Sequence, residues 1–200
     1  MSKKEEILKT ALHLFSEKGF KDTPMSELSK LTGVAEGTIF YHFKNKEDIL
    51  LTILENARKE ITGEFDRCFG EKQSDSGQHM LERVIEFYLE LTWKMKDYFF
   101  LLHRHYPYQL AESNDVCKGH IKAIYKCLID IFKRAIVLGQ KDGSIREMPA
   151  EKTALLIFSM VNGMIWLKFN DLCDISSLNP ELVMLCRRIL SPDNQQSKQE

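Results

Sequence analysis

The spacing of apolar residues is the feature that most constrains the fold of this 200-residue chain. Apolar side chains recur at intervals of three and four, as in Ile7, Ala11 and Phe15, and the same spacing is found as far as residues 182–189. This spacing puts an apolar stripe along a helix, whereas a strand alternates apolar and polar residues. No segment alternates convincingly. Since 44% of the residues are hydrophobic, the sequence predicts a packed, all-α protein.

The N-terminus, the cysteines and the most apolar run bear on where the protein acts. Glu5 and Glu6 stand where a secretory signal would be apolar. The five cysteines form an odd set without a CxxC pair, which argues against a disulfide framework or a zinc ribbon. The apolar run at 154–167 is shorter than the ~18 residues that suggest a membrane span. The sequence therefore predicts a cytoplasmic protein with reduced thiols and no membrane contact.

Residues 1–46 show the pattern of a helix-turn-helix. A first helix ends near Gly19, and Thr23 with Pro24 predicts the N-cap and first residue of a second helix. Residues 32–35 predict a short turn before a third helix at 36–43, in which Ile39 and Phe43, four residues apart, are predicted to face inward. Two short helices joined by a glycine-containing turn are typical of DNA-binding proteins, although many helical hairpins share the pattern. Asn45, with Asp48 three residues on, predicts the N-cap of a long fourth helix.

The segment from Leu31 to Leu50, LTGVAEGTIFYHFKNKEDIL, resembles the recognition-helix region of the TetR/AcrR family, the tetracycline-repressor-like regulators. Residues 11–20 and 23–25 also resemble the family's first-helix pattern, so the specific resemblance covers about the first quarter of the chain. It implies a DNA-binding domain at 1–46 and a helical ligand-binding and dimerisation domain at 47–200. The implied function is that of a homodimeric repressor that binds a double-stranded DNA operator, responds to a small-molecule effector and needs no cofactor.

The resemblance and the outward face of the third helix together predict the residues that contact DNA. They are Thr23, Glu36, Gly37, Thr38, Tyr41, His42 and Lys46. Gly37 lets the backbone approach DNA, while the Thr38 hydroxyl and the Lys46 ammonium suit phosphate contacts. By the family's pattern, Tyr41 and His42 touch the backbone and base edges.

The chain departs from the family's pattern at three positions. Ala35 stands where a serine usually caps the recognition helix, a hydrogen bond worth about 1 kcal/mol. Phe40 replaces a frequent tyrosine and lacks the hydroxyl that would bond a phosphate. Glu36 occupies a position that often reads bases, and a carboxylate there can accept from the amino group of cytosine. The preferred operator sequence is therefore expected to differ from that of other family members.

Two helices near the C-terminus are the predicted dimer interface. One is the apolar segment 154–169, and the other begins at Asn179 and Pro180 and ends at Leu190, before a tail after Pro192 that is predicted to be disordered. The interface residues expected from these helices are Phe158, Val161, Gly163, Ile165, Leu182, Leu185, Cys186 and Ile189. The alternative is that both helices fill the core of one protomer.

An aromatic and methionine-rich set in the middle of the chain, together with two later methionines, is the predicted effector site. Its members are Phe87, Tyr88, Trp93, Phe99, Phe100, His103, Tyr106, Met160 and Met164. Effector sites are mostly apolar cavities, so the set suits an apolar or aromatic ligand, although such stripes also form ordinary cores. The histidines and cysteine between 103 and 120 lack a tight ligand motif, and no metal site is predicted.

Two other classes of protein compete with the regulator. A helical enzyme is disfavoured because the chain has no GxSxG, GxxxxGK[ST] or HExxH motif. A helical adaptor without DNA affinity is the remaining alternative, in which Phe40 and Tyr41 would form a protein-binding patch.

Overall fold

The computed structural model describes residues 2–70, 76–174 and 178–192, and over these ranges the chain is helical without a strand. The helices are α1 (Lys3–Glu17), α2 (Met25–Thr32), α3 (Glu36–His42), α4 (Lys46–Phe69), α5 (Gly77–Lys94), α6 (Lys96–His103), α7 (His105–Ser113), α8 (Asp115–Asp142), α9 (Ala150–Phe169) and α10 (Leu178–Leu190). The prediction of an all-α fold is confirmed. The predicted disordered tail after Pro192 lies outside the described residues.

The helices form two compact units. The first comprises Met1–Glu64 and Met95–Tyr125, and the second comprises Phe65–Lys94 and Lys126–Glu200. The helix-turn-helix region therefore shares a unit with α6 and α7. The predicted domain boundary at 46 falls on the first residue of α4, which continues without a break.

Helix α1 is the centre of the first unit because it packs against α2, α3 and α6. Ile7, Ala11 and Phe15, one turn apart, are fully buried, which is the stripe expected from their spacing. Ser2 caps the helix through the Glu5 N–H, and the Glu5 side chain accepts in return from the Ser2 N–H. The sequence thus fixes both the start of α1 and the face that it buries.

The connection between α1 and α2 differs from the sequence-based prediction. Pro24 is the N-cap of α2, and no side chain caps that helix. Thr23 is fully buried, and its hydroxyl donates to the Gly19 carbonyl at 2.9 Å. The predicted Thr23 cap is therefore wrong, because its hydroxyl stabilises the preceding turn instead.

The start of α4 follows the prediction. The Asp48 N–H donates to Asn45 Oδ1 at 2.8 Å, and the Asp48 carboxylate accepts from the Lys44 N–H at 3.0 Å. These bonds form a reciprocal cap, which satisfies backbone N–H groups that a helix start leaves without partners.

Lys46, at the first residue of α4, holds the α1–α2 connection in place. Its ammonium donates to the carbonyls of Phe20 at 2.7 Å and Thr23 at 3.0 Å and lies 4.4 Å from the centre of the Phe20 ring. Burial lowers the pKa of Lys46, partly offset by the nearby Asp22 carboxylate. The side chain thus fastens the segment before α2 to the start of α4.

In the second unit, α5, α8 and α9 meet around three aromatic rings. Tyr88, Phe132 and Phe158 have ring centres 5.7–6.1 Å apart, within the range of favourable aromatic pairs. The Tyr88 hydroxyl donates to Asn162 Oδ1 at 3.2 Å, so the polar end of this buried ring is satisfied.

Helix α9 buries only part of its apolar surface. In the described ranges it is the one helix whose length and composition would also suit a membrane span, and 28% of its most apolar window is buried. A core helix of a soluble protein meets the same criteria. In the single chain, Leu155, Leu156 and Met160 of this helix are exposed.

Lys46→Met is expected to lower the free energy of unfolding by about 1–3 kcal/mol, because it leaves two partly buried carbonyls without their donor. Methionine keeps most of the aliphatic stem, so the loss isolates the ammonium. Urea unfolding at equilibrium measures the change. Lys44→Met, which alters an exposed lysine two residues earlier, is the control and should leave stability unchanged. Equal stability of the two variants would contradict the fastening role.

Candidate functional site

The turn between α2 and α3 is fixed by a glycine and a threonine. Gly33 ends α2 with a φ of +65°, a left-handed conformation that L residues with side chains adopt at a cost. The Thr32 hydroxyl donates to the Leu28 carbonyl at 2.7 Å and accepts from the Val34 N–H at 3.3 Å. Val34 is buried beside it. These contacts set the direction in which the chain enters α3.

Two buried side chains determine which face of α3 points outward. Ile39 is fully buried and Phe43 is 2% exposed, as the sequence predicted. Tyr41 is the most exposed aromatic residue of the described chain at 84%, and Phe40 is 47% exposed. The outer face is thus aromatic with a carboxylate at its start, Glu36.

The remaining residues of α3 that were predicted to contact DNA differ in accessibility. Gly37 is exposed, whereas Thr38 and His42 are half-buried. A Cβ atom placed on Gly37 would have no atom of the chain within 4 Å, so nothing inside the protein requires glycine there. Ala35 provides no side-chain hydrogen bond to the start of α3, as expected for this departure from the family's pattern.

Two of the predicted DNA-contacting residues make their contacts inside the protein. Thr23 is fully buried, so direct contact of its hydroxyl with a phosphate is excluded in this conformation and that prediction is corrected. The Lys46 ammonium already donates hydrogen bonds to two carbonyls and lies over an aromatic ring. Both residues position the helix-turn-helix, which the sequence could not reveal because their partners lie in an irregular connection.

Helices α6 and α7 also support the helix-turn-helix from within the first unit. The Arg104 guanidinium donates to the Ser16 carbonyl through two nitrogens, at 2.9 and 2.7 Å, and to the Glu17 carbonyl at 2.5 Å. It therefore caps the C-terminal end of α1, as cations do at this end of a helix. Sequence reasoning missed Arg104 because its partners are more than 80 residues away in the chain.

Tyr106, predicted to bind an effector, packs against the connection before α2. Its ring stacks on Phe20 with centres 4.0 Å apart, and its hydroxyl donates to Glu47 Oε1 at 3.2 Å. Burial, with the neighbouring Glu47 carboxylate, raises the pKa of Tyr106 to about 12. Tyr106 thus joins α7 to the connection that positions α2.

The other predicted effector residues are divided between the two units. In the first, Phe99 is buried, Phe100 is half-buried, and His103 Nδ1 lies 2.7 Å from the Phe99 carbonyl oxygen. In the second, Tyr88 belongs to the core, as the alternative of an ordinary core predicts. Phe87 packs edge-on against Phe65 and Phe69.

Trp93 lines a small pocket within the second unit, while Met160 is exposed and Met164 half-buried. The other lining residues of that pocket are Leu89, Thr92, Ile165, Lys168, Phe169 and Asn179. Its volume of about 20 Å³ accommodates a water molecule rather than an effector. A larger open groove of about 560 Å³ lies between α5 and α10 in the same unit, bordered by the Glu82–Arg187 ion pair. No predicted effector residue lines that groove.

The residues of the predicted dimer interface differ in accessibility within one protomer. Phe158, Val161, Ile165, Leu182 and Cys186 are buried within the protomer, so they belong to its core. Of the predicted set, Gly163, Leu185 and Ile189 are exposed. The exposed large apolar residues of α9 and α10 that the prediction omitted are Leu155, Leu156, Met160, Trp166, Leu178 and Met184. A helix with apolar residues on every side does not reveal from its sequence which side faces the core.

Comparison with known proteins agrees with this architecture. Residues 7–53 match the family model described as bacterial regulatory proteins, tetR family. The fatty acid metabolism regulator protein of Bacillus subtilis is 26% identical over 185 residues, which are 90% of this chain and 91% of that protein.

Solved structures share the fold. A transcriptional regulator from Saccharomonospora viridis in complex with choline has a TM-score of 0.82 at 19% identity, covering 94% of this chain and 97% of its own. FadR from Bacillus subtilis in complex with stearoyl-CoA has a TM-score of 0.71 at 23% identity. The likeness covers 90% of this chain and 96% of the FadR chain. These proteins are regulators rather than enzymes, in agreement with the sequence analysis. The helix-turn-helix, the match of residues 7–53 to the tetR family model and the likeness to the Bacillus subtilis regulator over 90% of this chain support a DNA-binding transcriptional regulator of the TetR family.

Proposed function

We propose that the chain is a cytoplasmic, ligand-responsive repressor that binds operator DNA as a homodimer and inserts α3 into the major groove. The outer face of α3 carries this proposal, because a small residue, a carboxylate and an 84% exposed tyrosine are presented by a helix fixed from behind. Such a helix has the dimensions that the major groove admits. The adaptor alternative is not favoured, since the relatives are transcriptional regulators.

The residues of α3 have separate roles in the proposed complex. Gly37 lets the helix backbone come close to the DNA, and Tyr41 reaches the sugar-phosphate backbone or a base edge. Glu36 accepts from a cytosine amino group and sets sequence preference. Thr38 and His42, being half-buried, contact the phosphates that flank the groove. Thr23 and Lys46 act indirectly, through the position of α2.

Gly37→Ala is expected to weaken operator binding by about tenfold or more, a loss of at least ~1.4 kcal/mol, because its methyl group occupies the space between α3 and DNA. The same change should not lower folding stability, since alanine favours a helix by up to ~1 kcal/mol and meets no neighbour. Fluorescence anisotropy with labelled DNA from upstream of the protein's own gene measures binding, beside a scrambled duplex and at two salt concentrations.

Gly119→Ala is the matched control, because Gly119 is also an exposed glycine in a helix with no atom within 4 Å of the added Cβ. It should bind DNA like the unaltered protein. Equal affinity of both variants would exclude α3 as the DNA-facing helix. Absence of binding by the unaltered protein to either duplex at low salt would favour the adaptor.

A second copy of the chain is the proposed partner of the exposed apolar face on α9 and α10. Leu156 is 66% exposed, and Trp166, Leu185 and Ile189 are each about half exposed. Monomeric proteins rarely expose so many large apolar residues on neighbouring segments. A dimer would also present two α3 helices, which DNA recognition needs at a spacing of ~34 Å or a multiple.

Leu156→Glu is expected to convert the dimer to monomers, because it places a charge in an apolar contact. Sedimentation velocity measures the oligomeric state. Operator affinity should also fall, because a monomer presents only one α3 helix. Val116→Glu is the control, since Val116 is comparably exposed but lies at the start of α8 in the first unit. Retention of the dimer by Leu156→Glu would place the interface elsewhere.

A fatty acyl thioester is the proposed effector class. The support is the match to the Bacillus subtilis fatty acid metabolism regulator over 90% of this chain and the shared fold of FadR in complex with stearoyl-CoA. The many aromatic residues between 87 and 106 suit an apolar chain.

Stearoyl-CoA is therefore expected to lower operator affinity by roughly 5–150-fold, the range of common allosteric coupling. Titration into the protein–DNA complex, followed by anisotropy, measures this effect. Coenzyme A without the acyl chain is the control and should leave the complex intact. An unchanged complex with stearoyl-CoA, or release by coenzyme A alone, would exclude acyl-chain recognition.

A further inference from the structure

Three side chains that bind metals in other proteins converge on the contact between α1 and α6. His13 and Glu17 lie one turn apart on α1, and Asp97 lies in the first turn of α6. His13 Nδ1 is 3.4 Å from Asp97 Oδ2. One ligand atom from each of the three residues lies within 4.8 Å of the others. All three belong to the first unit and are remote from the outer face of α3 in sequence.

The spacing of these atoms fits a tetrahedral zinc ion. Zinc binds histidine nitrogen and carboxylate oxygen at about 2.0–2.2 Å, so two such ligands on one ion lie about 3.3 Å apart. The observed 3.4 Å between His13 and Asp97 is close to this value. Glu17 is exposed and can complete the contact by a change of rotamer, with water in the fourth position.

The polar atoms at the cluster are incompletely satisfied by the chain itself. Asp97 Oδ1 is buried without a hydrogen-bond partner, although burial of a carboxylate oxygen is costly unless it is bonded or paired. The oxygen near His13 is the other one, Oδ2, so a divalent cation bound by both carboxylate oxygens, or a water molecule held by a cation on Oδ2, would satisfy Oδ1. The His13–Asp97 contact alone leaves this oxygen unpaired.

The charge of the cluster also favours a cation. In the described ranges, no lysine or arginine pairs with the carboxylate of Glu17 or Asp97. Lys18 pairs with Glu27, and the nearby Arg104 guanidinium bonds the carbonyls of Ser16 and Glu17. Apart from His13, which lies beside Asp97, the two carboxylates therefore have no cationic side chain paired with them in the described part of the chain, and a divalent ion would balance their charge.

We propose that His13, Glu17 and Asp97 form a binding site for Zn²⁺ that joins α1 to α6. One nitrogen and two oxygen ligands from different helices suit zinc, whereas Mg²⁺ prefers oxygen ligands and six-coordinate geometry. Because α1 also packs against α2 and α3, the ion stabilises the unit that contains the helix-turn-helix. Sequence reasoning missed the site because only the four-residue interval between His13 and Glu17 is visible in the chain.

Calorimetric titration of the full chain, without an affinity tag and with a non-chelating reductant, tests the site with ZnCl₂ and with MgCl₂. One Zn²⁺ per chain is expected to bind far more tightly than Mg²⁺, and Zn²⁺ should raise Tm because it binds the folded state. His13→Ala and Asp97→Asn should each weaken zinc binding about tenfold or more, since even groups outside the coordination sphere change metal affinity 10–100-fold.

His105→Ala, which removes another exposed histidine of the same unit, is the matched control and should bind zinc normally. Absence of zinc binding, or binding unaffected by His13→Ala and Asp97→Asn, would overturn the proposal. Substitution of Co²⁺ adds a spectroscopic check, because thiolate charge-transfer absorption would assign the ion to cysteines instead. None of these measurements depends on DNA binding.

Discussion

The burial of one face of α1 is the interaction on which the DNA-facing half of this protein depends. The face contains Ile7, Ala11 and Phe15, and the helix contacts α2, α3 and α6. Fully burying a side chain of the size of Ile7 or Phe15 contributes about 1.5–3 kcal/mol. Because α1 packs against all three helices, a displacement of α1 relative to α6 would also change the packing of α2 and α3, the two helices of the helix-turn-helix.

Polar contacts around α1 fix the end of this helix and the segment that follows it. Arg104 closes its C-terminal end, and Lys46 and Tyr106 hold the Phe20 segment that follows. Each joins backbone carbonyls or a ring to a side chain far away in sequence. Together they convert an irregular connection into a defined support for α2. The proposed zinc site would add a fourth connection at the same helix.

Local patterns predicted much of the fold and of the candidate site. The caps and turn glycines predicted α3 and the start of α4, and the spacing of Ile39 and Phe43 predicted which side of α3 is buried. Thr23 was assigned wrongly because a hydroxyl beside a helix start can bond either the helix or the preceding turn. The face of α9 was missed because apolar residues surround that helix. The roles of Arg104 and Asp97 arise from tertiary contacts, which a single sequence does not contain.

The short length of α3 has a consequence for the thermodynamics of association. Isolated helices below about 12–15 residues are marginal in water, and α3 has 7 residues, no side-chain cap and a glycine in its first turn. Its order therefore comes from Ile39, Phe43 and the turn at Gly33. In the proposed DNA complex, any ordering of this uncapped first turn would offset part of the contact enthalpy by lost conformational entropy.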